Sequence, residues 1–111
     1  MQFIRQSEDF ARARLAGSLS GYVFDVSQEE LFGNTRGLQT VALARQVAMY
    51  LTHVSFGLSL ARVANVFLRD RSTVAHACHL IEDKRDDPKF DEMLEALENA
   101  ARAAPTPMMP H

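Results

Sequence analysis

The sequence predicts an all-α fold, a compact helical domain of about six helices that contains a helix-turn-helix. Three observations predict it. Apolar residues recur every three or four positions through most of the chain, helix-start and helix-stop signals separate the periodic stretches, and no stretch alternates as a half-buried strand does. At 111 residues the chain has the size of one ordinary domain, large enough to bury a core without disulfides or a metal. We assign that domain to residues 1–104 and read the proline-rich 105–111 as a disordered tail.

The elements follow in order. Ser7-Glu8-Asp9 ahead of Phe10 reads as a first helix start, with Leu15, Leu19, Tyr22 and Val23 as its apolar face. Gly17 and Gly21 weaken this helix, each by about 1 kcal/mol relative to alanine. Ser27-Gln28-Glu29-Glu30 has the spacing of a capping box and predicts a short helix ending at Gly33-Asn34. Val41, Ala44, Val47, Ala48, Leu51 and Val54 mark a central core helix. Gly57 breaks the chain, Ser59 caps the next helix, and Leu60, Val63, Ala64 and Phe67 form its stripe. After Leu68-Arg69-Asp70, a helix turns Val74, Ala77, Cys78 and Ile81 inward, so two short helices meet at a tight turn. Asp87-Pro88 restarts the chain as a last helix with Phe90, Leu94, Leu97 and Ala101 inside.

Charge is polarised along this plan. The formal net charge is only −2, which by itself argues against a phosphate-rich partner. Eight carboxylates crowd the stretch from Glu82 to Glu98, whereas Arg36, Arg45, Arg62, Arg69 and Arg71 share the middle of the chain with Asp70 as their acidic neighbour. A nucleic-acid surface, where one exists, belongs to that middle. In a helix-turn-helix the second helix enters the major groove with its opening residues at the base edges. Here those are Asp70, Arg71, Ser72 and Thr73. Arg71 can donate two hydrogen bonds to a guanine, the Thr73 methyl can meet a thymine methyl, and Ser72 can bond a base or a phosphate. Asp70 is expected to cap the helix and orient Arg71. A plain solvated helix start accounts for the same four residues.

The run from Leu58 to Phe67, followed by Arg69-Asp70-Arg71-Ser72-Thr73-Val74-Ala75-His76-Ala77-Cys78, resembles the signature of the C-terminal DNA-binding domain of the bacterial replication initiator DnaA, in which Asp-His-Thr-Thr-Val is usual. Ala44-Arg45-Gln46-Val47-Ala48-Met49-Tyr50-Leu51 is similar to the core helix of that family, and the likeness extends over residues 19–97. The resemblance implies a sequence-specific binder of duplex DNA at DnaA-box-like sites, working as a stand-alone cytoplasmic, nucleoid-associated regulator of replication initiation or transcription. It gives the major-groove role to Asp70, Arg71, Ser72 and Thr73, and a phosphate contact to Arg45. Arg36 becomes the charged residue of the loop before the core helix, Arg69 is a further DNA-binding candidate, and His76 and His79 lie near the DNA backbone or in solvent. Three departures stand out: Gly37 aligns with a minor-groove arginine, Arg71 replaces a histidine, and Leu68 stands where glycine is common in the turn.

Other classes are less well supported by the residues. There is no glycine-rich loop ending in Lys-Ser or Lys-Thr, so neither nucleotide binding nor an ATP-driven activity is expected. No nucleophile with a base and no cofactor fingerprint is present, so we expect no enzyme and no cofactor. His76, His79 and Glu82 share a helical face but lack a full ligand set, and no metal is expected. Cys78 is alone and reads as a buried small hydrophobe. No signal-peptide core or membrane-spanning run is seen. A protein-interaction module that has kept the fold and lost DNA binding is the competing reading, consistent with a partner in the replication machinery.

Overall fold

The structure is a computed structural model that describes residues 2–33 and 38–108. Among these residues it contains six helices and no strand: α1 (Gln2–Phe24), α2 (Gln28–Phe32), α3 (Gln39–Val54), α4 (Leu60–Phe67), α5 (Arg71–Lys84) and α6 (Pro88–Ala103). The all-α expectation holds. The loop residues Asn34, Thr35, Arg36 and Gly37 lie outside the described residues.

Helix α3 is the axis of the core. Val47, Ala48, Met49, Tyr50, Leu51 and Thr52 are all buried, so the helix is covered on most of its circumference rather than along one stripe. The Met49-Tyr50 pair therefore faces core, whereas Val54, expected inside, is 46% exposed. Helices α1, α4, α5 and α6 surround α3. Val63 and Phe67 of α4, Val74 and Ile81 of α5, and Leu94 of α6 fill the space between them.

Helix α1 departs from expectation in two respects. It begins at Gln2 rather than after Ser7, and its fully buried positions are small or polar residues, with Leu15 and Leu19 of the expected face only partly buried. Asp9, Ala13, Ala16, Gly17, Ser20 and Gly21 are buried, while Tyr22 is 89% exposed and Val23 lies at the surface. Small side chains let two backbones approach: Ser20 Oγ donates across 2.6 Å to the Ala44 carbonyl of α3. The two glycines instead make room for the chain that follows α1, the turn at Val26 and helix α2. A Cβ on Gly17 would meet Gln28 Oε1 at 2.8 Å, and one on Gly21 would collide with the Val26 carbonyl oxygen. Their cost in helix propensity is the condition of that close packing.

Caps stop and start the chain largely as the sequence indicates. Ser27 Oγ accepts from the Glu30 amide at 3.1 Å while Glu30 Oε1 accepts from the Ser27 amide at 3.1 Å, a complete capping box. Ser59 caps α4, and Asp87, followed by Pro88, caps α6. At the far end of the bundle Arg85 ties three helices together. It donates to Asp91 at 2.5 Å, to Glu98 at 3.1 Å and to the Tyr50 hydroxyl at 3.1 Å. The Tyr50 hydroxyl in turn donates to Glu82 at 2.6 Å. No helix among the described residues is long and apolar enough to cross a membrane.

Candidate nucleic-acid interface

Two helices and one turn build the candidate site. Phe67, whose ring stacks on Phe32 at 5.0 Å between centroids, anchors the end of α4. Leu68 then adopts a left-handed backbone, φ 54° and ψ 49°, and turns the chain. A glycine would take this conformation freely; leucine carries it at a cost of about 1 to 2 kcal/mol. Its side chain is 79% exposed, so burial does not offset that cost. Helix α5 starts three residues later and is held by Val74, Ala77 and Ile81 against the core.

This arrangement puts Asp70, Arg71, Ser72, Thr73 and His76 on the surface, all exposed. None of their side chains has an intramolecular hydrogen bond or ion pair among the described residues. Asp70 occupies the N-cap position, but its carboxylate makes no capping hydrogen bond, and it does not pair with Arg71. The expectation of a self-capped helix that orients Arg71 is thereby corrected. The caps of α2, α4 and α6 are made by Ser27, Ser59 and Asp87, whereas the opening amides of α5 lack a side-chain acceptor. Such an end favours an anion.

The other arginines of the middle stretch are engaged. Arg62 donates through Nε and Nη2 to Asp9 at 3.0 and 2.6 Å, so it ties α4 to α1 and is no part of a free cationic surface. Arg45 places Nε on the Leu31 carbonyl at 2.7 Å and Nη2 on the carbonyls of Glu30 and Gly33 at 3.0 and 3.3 Å. Arg69 places Nη2 on the same Gly33 carbonyl at 2.8 Å and Nη1 on those of Phe67 and Leu68 at 3.2 and 3.3 Å. Burial, and then the charge of Arg69, lower the Arg45 pKa from its ordinary value. Nothing in the sequence signalled these carbonyl partners. Arg36, expected in the preceding loop, lies outside the described residues.

The carboxylate run from Glu82 to Glu98 starts at the far end of α5 from its opening. That helix has 14 residues and a length of about 20 Å, and the carboxylate run begins in its last turn at Glu82. Two Debye lengths of about 8 Å each at physiological salt separate the two ends. Cys78, expected to be buried, is half-buried beside Tyr50, His53 and Glu82. Burial, with a contribution from Glu82, pushes its thiol up to about 11, which disfavours the reactive thiolate. Among the described residues no three His, Cys, Asp or Glu side chains are grouped to hold a metal ion.

Comparison with known proteins gives a consistent picture. Residues 22–81 match the family model described as bacterial dnaA protein helix-turn-helix. The chromosomal replication initiator protein DnaA of Pseudothermotoga lettingae is 43% identical over 61 residues, covering 55% of this chain and 14% of the relative. That of Lachnoclostridium phytofermentans is 35% identical over 86 residues, covering 76% of this chain and 18% of the relative. The chain thus spans less than a fifth of the length of these curated relatives. A crystal structure described as a DNA replication initiation factor superposes with a TM-score of 0.79 over 91% of this chain and 31% of that one, at 24% identity, a likeness of fold.

Proposed function

Since this chain belongs to the bacterial DnaA helix-turn-helix family, we propose that it binds double-stranded DNA at DnaA-box-like sequences with the opening of α5 in the major groove. In this reading it acts at the nucleoid as a non-enzymatic regulator of replication initiation or transcription. One observation carries the proposal: Asp70, Arg71, Ser72, Thr73 and His76 are exposed and free of partners among the described residues, while Arg45, Arg62, Arg69 and Arg85 are all bonded within the fold. The opening of α5 thus offers a contiguous set of unspent donors and acceptors where a groove-reading helix needs them.

The roles follow from chemistry. Arg71 presents the planar fork that matches guanine O6 and N7. Asp70 can accept from a cytosine amino group, and Thr73 offers both a hydroxyl and a methyl to the neighbouring base pair. Ser72 and the uncapped amides of α5 suit a phosphate oxygen. His76 lies further along the same helix, where a backbone contact is expected.

The test is selection of duplexes from a randomised pool, followed by binding of the enriched duplex and a scrambled one across a salt series. Affinity should fall with rising salt. Arg71→Ala should cost about 1 to 3 kcal/mol on the enriched duplex and flatten discrimination at one base pair. If the pool yields no enrichment and no salt-dependent affinity, DNA binding is refuted and the fold serves a protein partner instead.

A further inference from the structure

We propose that Arg69 is a positioning residue, whose guanidinium, meeting Arg45 on the Gly33 carbonyl, fixes the turn of the helix-turn-helix to the end of α2 and thereby sets how α5 presents its opening residues. The proposal rests on the DNA-binding reading for its consequence, though not for its geometry.

The geometry is specific to a guanidinium. Nη2 reaches the Gly33 carbonyl at 2.8 Å, across 36 residues of sequence, while Nη1 spans the carbonyls of Phe67 and Leu68 at 3.2 and 3.3 Å. One planar group therefore bonds both sides of the junction at once. Arg45 approaches the same carbonyl from α3 and also satisfies those of Glu30 and Leu31. The last carbonyls of a helix have no partner within it, and these two arginines supply partners to the end of α2. Neither cation has a carboxylate partner among the described residues, so two like charges are held together by backbone oxygens alone.

The turn needs such a tie. Leu68 holds a left-handed backbone with its side chain 79% exposed, so its own packing does little to keep the conformation. The amides of Leu68 and Arg69 both donate to the Ala64 carbonyl, which fixes the turn to α4 but not to α2. The side chain of Arg69 adds that second fixed point, and the next residue, Asp70, is already the N-cap of α5. A shift at Arg69 is therefore passed within two residues to Arg71.

A phosphate contact and a positioning role separate on Arg69→Lys. Lysine keeps the charge and binds phosphate as a point charge, but it cannot bridge carbonyls on both sides of the junction. Two measurements on the full chain decide, with circular dichroism confirming the helical content. In the free protein, amide exchange within residues 67–73 should rise about tenfold in Arg69→Lys while exchange in the core of α3 is unchanged. On the wild-type-enriched duplex against the scrambled one, discrimination should fall about tenfold with the salt slope preserved. Unchanged exchange and discrimination in Arg69→Lys, with a slope reduced by about one in Arg69→Ala, would overturn the proposal in favour of a phosphate contact. If wild type shows no salt-dependent duplex affinity, the DNA reading fails, and the exchange measurement still decides whether Arg69 fixes the turn.

Discussion

Arg62→Ala and Asp9→Ala should destabilise the protein unequally, although each removes one partner of the same pair. The Asp9 side chain is 5% exposed and that of Arg62 is 37% exposed, with two hydrogen bonds joining them at 3.0 and 2.6 Å. Loss of Arg62 strands a carboxylate in a site from which water is largely excluded. Breaking a buried pair this way costs about 3 to 5 kcal/mol, and the lower end applies here because Arg62 itself is partly solvated. Loss of Asp9 leaves a guanidinium that can turn to solvent, so about 1 kcal/mol is expected, close to the upper range for exposed pairs. The double variant should resemble Asp9→Ala, because no charge is then stranded. Urea denaturation of all four proteins at neutral pH measures this cycle. For a domain of this size about 3 kcal/mol corresponds to a melting temperature lower by about 12 °C. Equal small losses below about 0.5 kcal/mol in both single variants would show an ordinary surface pair that does not join α1 to α4.

Three further outcomes follow from the packing and the titrating groups. Leu68→Gly relieves about 1 to 2 kcal/mol of left-handed strain against about 0.4 to 1 kcal/mol of added chain entropy. It should therefore raise the melting temperature by a few degrees, and a fall would show that the exposed leucine packs. Gly21→Ala, which drives a methyl into the Val26 carbonyl, should destabilise by about 1 to 3 kcal/mol in the same urea assay despite alanine's better helix propensity. The Tyr50 phenol, raised to about 12 by burial and then by its hydrogen bond to Glu82, should ionise near that value in an absorbance titration of Tyr22→Phe protein. A folded-state value above the unfolded one near 10 means that this contribution to stability is complete below about pH 10. It is lost as pH climbs through about 12, and ionisation of Tyr50 at the ordinary value would remove the effect.

Local chemistry made much of this fold legible. The Ser27 capping box, the Asp87-Pro88 start and the stripes of α3 and α5 depend on residues within a few positions of one another, and those elements appear where the sequence places them. Helix α1 is only half legible: Leu15 and Leu19 of its apolar face are partly buried, but the fully buried positions include Ala13, Ala16, Gly17, Ser20 and Gly21. Hydrophobic periodicity weighs large side chains, whereas close helix contact buries small ones. The helix proposed to read the groove stands out in the sequence through its position after the turn and its likeness to a family. The partners of the arginines were not, because a guanidinium in a sequence gives no sign of whether it will meet a phosphate, a carboxylate or a carbonyl. Asp9 and Arg62 stand 53 positions apart, and only the folded bundle brings them together.

The side chains at the opening of α5 contribute almost nothing to holding the bundle together. Substitutions at exposed positions of this kind usually change stability by less than about 0.5 kcal/mol. Arg71, Ser72, Thr73 and His76 can therefore vary almost independently of foldability. On the proposed DNA-binding reading, a population of such sequences could drift from one recognition code to another through folded intermediates, with the scaffold inherited intact. The arginine in place of a histidine at position 71 would then be one step in such a drift, and a library randomised at these four positions should yield mostly folded proteins with divergent preferences.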